Sequence, residues 1–356
     1  MKTDPLEYLE YEDIRYARYR DKEGEISRGT AILFDDRNNR RMVNDYPHIF
    51  RVYRLREGIK RFFGNDWFYA EEKLDGYNVR ILKHDSRIIA VTRGGIICPF
   101  STEWVHHWMG KYRIDDFFEM YPDRILCAEF LGDNPYNSKR DPTLPAGMSF
   151  FCFDIMMPSG KLMHPEERYS ILNDLKLPQV HSFGKFRIKD FSRIKDIVGR
   201  LNDNKREGII FKRVSGDKAI KFVTAESDLI DIEQFIPYFY DIEPGFYSNR
   251  LMRISLFTRE FGLDEEEYSR KLGKAILNGY SPLEKYDGSF ENFTIYMHSL
   301  ENWKLLKKII ITHIDIIHDE IEERELGGVM LFKIKFSRKH KKSTLRYREI
   351  ISGHEE

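Results

Sequence analysis

The chain has 356 residues, with 58 Lys and Arg against 58 Asp and Glu, so no net field advertises a polyanionic partner and any nucleic acid must be held by local basic patches. The length exceeds one typical domain and the apolar content suffices for packed cores, so two or three modules are expected. Cys98, Cys127 and Cys152 lack any Cys-x-x-Cys spacing, which argues against a disulfide framework or a structural zinc site; no apolar run reaches membrane-spanning length and Met1–Pro5 leads into no signal-peptide core, so a soluble cytoplasmic protein is expected.

Residues 1–65 read as a small leading module, with Thr30–Phe34 as its clearest strand. Its alternation of Arg15, Tyr16, Arg18, Tyr19 and Arg20 is either a solvated sheet edge or a surface that stacks on bases and grips phosphates. Next comes Phe68–Ile81, where two stretches rich in aromatic and β-branched residues flank Lys73-Leu74-Asp75-Gly76, the pattern of a hairpin with Lys73 at its bend. Asp-Gly supplies the permissive backbone of such a turn, and a lysine there either lies exposed or faces a cleft as a nucleophile.

Through residue 232 the signals are short strands, at Arg87–Thr92, Arg124–Leu131, Met148–Met156, Glu207–Val214 and Lys218–Thr224, with helices over 102–121, 165–175 and 190–201. Ser215-Gly216-Asp217 is a hairpin turn. The unit over 66–232 is therefore α+β on antiparallel sheets, without βαβ alternation, and neither a P-loop nor a Rossmann glycine set is present. Past Ile232 the texture turns helical, with Asp264–Leu277 and then Leu300–Glu325, where Trp303, Leu306, Ile310, Ile314, Ile317 and Ile321 recur at helical spacing. That stripe serves either its own domain or a homodimer seam, so 233–325 reads as a helical dimerisation domain. Residues 326–356 form a basic segment (Lys335, Arg338, Lys339, Lys341, Lys342, Arg346, Arg348), either a solvated tail or a phosphate-backbone contact.

Taken in order, the lysine turn, Thr92-Arg93-Gly94-Gly95, Ala128-Glu129-Phe130-Leu131-Gly132, Phe150–Ile155, Glu207-Gly208-Ile209-Ile210-Phe211-Lys212 and Lys218-Ala219-Ile220-Lys221 resemble motifs I, Ia, III, IIIa, IV and V of the covalent nucleotidyltransferases, the superfamily of DNA ligases, RNA ligases and mRNA-capping enzymes. The resemblance spans roughly Phe68 to Val223 and implies their ATP-grasp-like ligase fold. In its leading module, its helical tail and Glu129-Phe130-Leu131-Gly132 ahead of the Phe153-Asp154 strand, the whole chain looks like the archaeal ATP-dependent RNA ligases, whose members are homodimers.

That resemblance implies adenylate transfer to Lys73, then to an RNA 5′-phosphate, then displacement of AMP by a 3′-hydroxyl, possibly within one single-stranded RNA to close a circle. The alternatives in view are a DNA ligase, a capping-type transferase, or an RNA-binding protein with a disabled site. By the same resemblance ATP is contacted by Glu72, Arg93, Glu129, Phe153, Glu207, Lys218 and Lys221; Glu129 and Arg93 meet the ribose, Glu72 lies near the adenine, and Phe153 stacks on it. Lys221 and Lys218 act with Lys73 in catalysis, and Glu207 holds Mg²⁺, with Mn²⁺ as the alternative ion. On the residues alone Arg93 reads equally as a surface arginine, Glu207 as a solvated acid and the three phenylalanines as core, with Phe151 and Phe153 on one strand face and Phe150 on the other. Asp75 orients Lys73 or approaches a metal. The attacking amine must be neutral, so a lowered Lys73 pKa is expected.

Two positions depart from the superfamily pattern. The last motif is one residue longer than the usual Lys-x-Lys, so Lys218 and Lys221 point to opposite strand faces unless a bulge intervenes. Asn78 stands where many DNA ligases have an arginine.

Overall fold

The computed structural model describes residues 5–138, 144–311 and 315–353; the Met1–Asp4 start and Ile314 lie outside them. Among these residues the chain forms four sheets. The leading module is an antiparallel meander of β1 (Leu6–Tyr11), β2 (Ile14–Tyr19), β3 (Ala31–Phe34) and β4 (Arg40–Val43). Tyr16 and Tyr19 turn inward, and Arg18 bonds Glu7 at 2.5 Å and the Gly94 carbonyl at 2.9 Å. The Arg-Tyr alternation is thus largely packing and anchoring, with Arg15 and Arg20 left at the surface.

Next come β5 (Phe50–Arg51), α1 (Leu55–Phe63), β6 (Phe68–Lys73), β7 (Tyr77–His84), β8 (Arg87–Thr92), α2 (Pro99–Met109), α3 (Ile114–Met120), β9 (Ile125–Gly132), β10 (Met148–Met156), α4 (Pro165–Asp174), β11 (Ser182–Phe186), α5 (Phe191–Asp203), β12 (Gly208–Arg213) and β13 (Ala219–Val223). They build two mainly antiparallel sheets, ordered β10-β9-β7-β8 and β11-β6-β12-β13-β5. The expected hairpin at Lys73 does not form: β6 pairs with β11 and β12, while β7 pairs with β8 and β9. The turn instead carries the chain from one sheet to the other. A local turn signal cannot tell these outcomes apart, because strand partners are chosen by tertiary packing.

Three cores hold this together. One lies between the leading module and the β7-β8 sheet, around Tyr16, Leu33, Val91 and Met156. A second buries Phe68, Phe211 and Phe222 of the five-stranded sheet beneath α1, α5 and the helices α6 (Ala225–Phe235), α7 (Gly245–Phe261) and α8 (Glu265–Tyr286). The third joins the other face of the β7-β9 sheet and α2 to the C-terminal part of the chain, where β14 (Phe290–Met297), α9 (Leu300–Ile311), β15 (Asp315–Leu326), β16 (Val329–Lys339) and α10 (Lys341–Ile351) follow.

Here the helix expected over 300–325 is corrected. It ends at Ile311, and β15 pairs antiparallel with β16 around Gly327-Gly328, both at positive φ (61° and 82°). Gly-Gly between two β-compatible runs is the hairpin signal that the continuing isoleucine spacing obscured. Residues 233–325 are therefore helices followed by part of a β14-β16-β15 sheet rather than helical throughout. Trp303, Leu306 and Ile310 are buried, with Trp303 against Phe336 of the same chain at 5.3 Å, whereas Ile321 on β15 is 45% exposed. The stripe thus divides between an internal helix face, buried within this chain, and a strand; the Ile317 side chain lies outside the described set. The basic C-terminal segment is likewise folded, and several of its cations meet acids: Arg338 with Glu291 at 3.4 Å, Arg346 with Glu349 at 3.3 Å and Arg348 with Asp287 at 3.0 Å.

Candidate active site

A cleft of about 570 Å³ opens between the two central sheets. Lys73, the last residue of β6, stands in it, as do Glu72, Arg93, Glu129, Phe153 and Lys221. Two glycines permit this placement. A Cβ at Gly76 would fall 2.2 Å from the Phe130 carbonyl oxygen, and one at Gly208, which faces Lys73 across the ladder, would fall 2.1 Å from that of Phe222. Only hydrogen lets the turn after Lys73 and the start of β12 approach so closely.

Glu207, just ahead of β12, meets Lys73: the Nζ lies 2.6 Å from each of its carboxylate oxygens. Burial pulls the Lys73 pKa down, but Glu207, Glu129 and Asp75 outweigh it and hold it above the ordinary lysine value. The expected lowering is therefore reversed, because three acids surround the amine. Burial likewise raises Glu207, and it pushes Glu129 up to about 8 against the opposing pull of Lys73. Burial and the neighbouring Arg51, Lys73 and Arg93 push Lys221 down to about 8. The cleft thus sets the acids around Lys73 close to the cations Lys221 and Arg93.

Lys218 is not part of it. The β12-β13 ladder runs without a register shift, so Lys218, three residues before Lys221, lines a separate depression with Arg51 and Arg61. Arg93 has no ion-pair partner among the described residues, and its loop is anchored by the Arg18 bond to Gly94. Glu72 is held by Arg206 at 2.6 Å.

Regular alternation puts Phe153 on the cleft side with Phe151, and a β-bulge then adds Asp154 to the same face. The β10-β9 register shifts between Cys152 and Asp154, leaving Phe153 as the extra residue, so it and Asp154 share a face that regular alternation would have split. Phe150 goes into the opposite core against Trp108 at 4.6 Å, as alternation predicts. The Phe153 ring meets the cleft with Tyr46 edge-on at 5.1 Å. Behind it lies a buried network that sequence reading missed: Lys212 donates to the Phe153 carbonyl at 2.7 Å and to Asp154 at 2.9 Å, and pairs with Glu71 at 2.9 Å. Arg168 bonds Glu71, and the Tyr46 hydroxyl donates to Asp154. Two acids and two bases balance here, and they fix the backbone that carries Phe153. Lys212 was visible as the end of the Glu207-Gly208 motif; Tyr46, Glu71 and Arg168 had no local signal.

Asn78 also lines the cleft, with its Oδ1 buried and without a hydrogen-bond partner among the described residues. An orphaned acceptor of this kind is satisfied by a ligand donor such as a ribose hydroxyl or a base amine. An aromatic face, an unpaired acceptor and the cations Lys221 and Arg93 suit a purine nucleotide with its phosphates toward Lys221. Glu207 stands beside Lys73, where those phosphates would meet it, and a carboxylate next to phosphate oxygens fits a hard divalent cation.

Comparisons with known proteins agree with this geometry. The family model described as RNA ligase matches residues 66–223, and that described as Ligase Pab1020 C-terminal region matches residues 235–354. An uncharacterized protein of Methanocaldococcus jannaschii is 32% identical over 281 residues, which span 75% of this chain and 69% of that protein. Among solved structures, a provisionally named ATP-dependent DNA ligase from Aquifex aeolicus superposes with a TM-score of 0.89 at 29% identity, covering 99% of this chain and 96% of that one. An archaeal ATP-dependent RNA ligase superposes with a TM-score of 0.87 at 25% identity, covering 99% and 94%.

Proposed function

This chain belongs to the archaeal ATP-dependent RNA ligase family, and from that premise we propose that it seals RNA ends through a covalent adenylate on Lys73. The observation that carries the reading is Lys73 in a cleft between the two central sheets, with an aromatic face and the Lys221–Arg93 cations around it. Lys73 loses its proton and attacks the α-phosphorus of ATP; the N–P bond forms as the bond to the β-phosphate oxygen breaks, and pyrophosphate leaves. Glu207, 2.6 Å from the amine and raised by burial, is placed to take that proton. Lys221 and Arg93 face the charge that develops on the phosphate oxygens, while Phe153 and Asn78 hold the nucleoside. Mg²⁺, or Mn²⁺ in its place, would be held by Glu207 and supplies neutralisation of phosphate charge.

AMP then passes from Lys73 to a 5′-phosphate of single-stranded RNA, and the 3′-hydroxyl of the same or another strand displaces it. We further propose a cytoplasmic homodimer. No described helix is long and apolar enough to cross a membrane, and exposed apolar side chains such as Leu277 (73%) and Leu345 (62%) suit an association surface outside the α9 stripe. The Aquifex relative favours a second reading, DNA joining. Incubation with α-labelled ATP, then with end-defined RNA and DNA oligomers, decides. A labelled band in wild type, none in Lys73→Ala, and sealing of 5′-phosphate RNA support RNA ligation; sealing of DNA alone replaces it with the second reading.

A further inference from the structure

We propose that the RNA strand bearing the reactive 5′-phosphate runs through a second cleft beside the nucleotide cleft, across β5 and β13. The identity of the strand rests on the ligase reading above. The two clefts share a wall: within residues 46–54, Tyr46, Pro47 and Ile49 line the first, while Phe50, Arg51 and Arg54 line the second. On the neighbouring strand Lys221 lines the first and Lys218 the second.

The second cleft, about 740 Å³, is built for several phosphates. Arg51, Arg54, Arg61 and Lys218 line it, all exposed, and none of their side chains has an ion-pair or hydrogen-bond partner among the described residues. Elsewhere in this net-neutral chain arginines and lysines are commonly paired, as Lys212, Arg168, Arg206 and Arg253 are. Of the acids in the cleft, Asp217 is bonded by Arg213 and Ser215 and also faces Lys218, and Glu57 is the other, so the cations outnumber the acids four to two.

Arg54 and Arg61 stand two helical turns apart at the start and end of α1, about 10 Å along its axis. One phosphate group cannot sit on both, whereas a polynucleotide backbone can. Among these cations Phe50 is 55% exposed, its ring braced by Phe62 at 5.6 Å and His48 at 5.2 Å, so a preformed aromatic face is open to a base. Arg51 is the register partner of Lys221, which brings this row of cations to the phosphate end of the nucleotide cleft. A strand lying along the row delivers its terminal phosphate to the adenylate.

The test compares wild type with Arg54→Ala/Arg61→Ala and with Phe50→Leu, using a fluorescein-labelled 5′-phosphorylated 20-nucleotide RNA in anisotropy titrations at several salt concentrations, and α-labelled ATP for lysyl-AMP formation. The double variant is expected to form lysyl-AMP within about twofold of wild type, and its slope of log affinity against log salt should fall by about 1.4, from two lost phosphate contacts at 0.7 each. Phe50→Leu is expected to lose affinity about fivefold or more with the salt slope unchanged. Unchanged affinity and slope in the double variant overturn the proposal. So does a loss confined to lysyl-AMP formation, which would assign the cations to the tail phosphates of ATP. Absence of lysyl-AMP in wild type would sink the ligase reading alone, since the anisotropy arm still decides the cleft.

Discussion

Lys73 and Glu207 form a two-oxygen contact, with Nζ 2.6 Å from each carboxylate oxygen, so the amine is held as a paired ammonium. The acids that hold Lys73 above the ordinary lysine value must be offset when ATP binds, and the same carboxylate is positioned to receive the proton. Lys73→Ala is expected to give no labelled adduct with α-labelled ATP. Glu207→Gln keeps the shape but accepts no proton, and is expected to lower single-turnover adenylylation about 100-fold or more, in the range of general-base contributions. An adduct rate within a few-fold of wild type for Glu207→Gln would remove Glu207 from the proton step.

In the proposed site Phe153 is the base platform, so its replacement should act on binding. Phe153→Leu retains bulk in the core around Tyr46 and Val91 but removes the ring. The apparent ATP KM for adenylylation is expected to rise about 5- to 150-fold, the equivalent of 1 to 3 kcal/mol of stacking, with the saturated rate changed much less. An unchanged KM would place the purine elsewhere.

The order of motifs from Lys73 to Lys221 was legible because each lies in a short strand or turn whose local chemistry identifies it. Strand partners were not. Lys73-Leu74-Asp75-Gly76 reads as a hairpin and is a passage between sheets, since nothing local states which edge β7 joins. The bulge at Phe153 and the network of Glu71, Arg168 and Lys212 depend on contacts up to 141 positions apart in sequence, between Glu71 and Lys212, which no window reading reaches. Lys218 was separable from Lys221 by strand parity alone, and the regular β12-β13 ladder places it accordingly.

Gly76 is tested by the smallest substitution. In Gly76→Ala the new Cβ falls 2.2 Å from the Phe130 carbonyl oxygen, a backbone atom that cannot step aside, so the turn must shift and carry Lys73 with it. A melting temperature several degrees lower, from a loss of about 2 kcal/mol or more, and a disproportionate fall in adenylylation are expected. Wild-type rates would show that the turn tolerates displacement.

Lys212 separates support from chemistry. Lys212→Met leaves Glu71 and Asp154 buried with Arg168 as the remaining base, and is expected to cost about 3 to 5 kcal/mol in urea unfolding, the range for breaking a buried pair from one side. Lys212→Met combined with Glu71→Gln restores one-to-one balance and should recover part of that loss, as a double-mutant cycle reads directly. Strict additivity would mean the two charges do not couple.

The docking of the C-terminal sheet on α2 carries a pH signature. Glu103 of α2 accepts from the His298 backbone at 3.0 Å and from Asn302 Nδ2 at 2.9 Å, and burial raises its pKa to about 7. Nearby, burial pushes His298 down to about 4. The two act in opposite senses. A raised acid makes the folded state hold a proton the unfolded chain releases, so stability falls as pH rises from the ordinary glutamate value through 7. A depressed histidine makes the unfolded chain bind the proton, so stability falls as pH drops from the ordinary histidine value toward 4. Glu103→Gln removes the first effect alone. Relative to wild type it is expected to gain about 2.5 kcal/mol between pH 5 and pH 8, since each pH interval of 1 over which the folded chain alone keeps the proton costs wild type about 1.4 kcal/mol; urea midpoints at each pH read it. A difference between the two proteins that does not change with pH would show that Glu103 is ionised in the folded chain throughout, and that its carboxylate is hydrated at the α2–α9 contact.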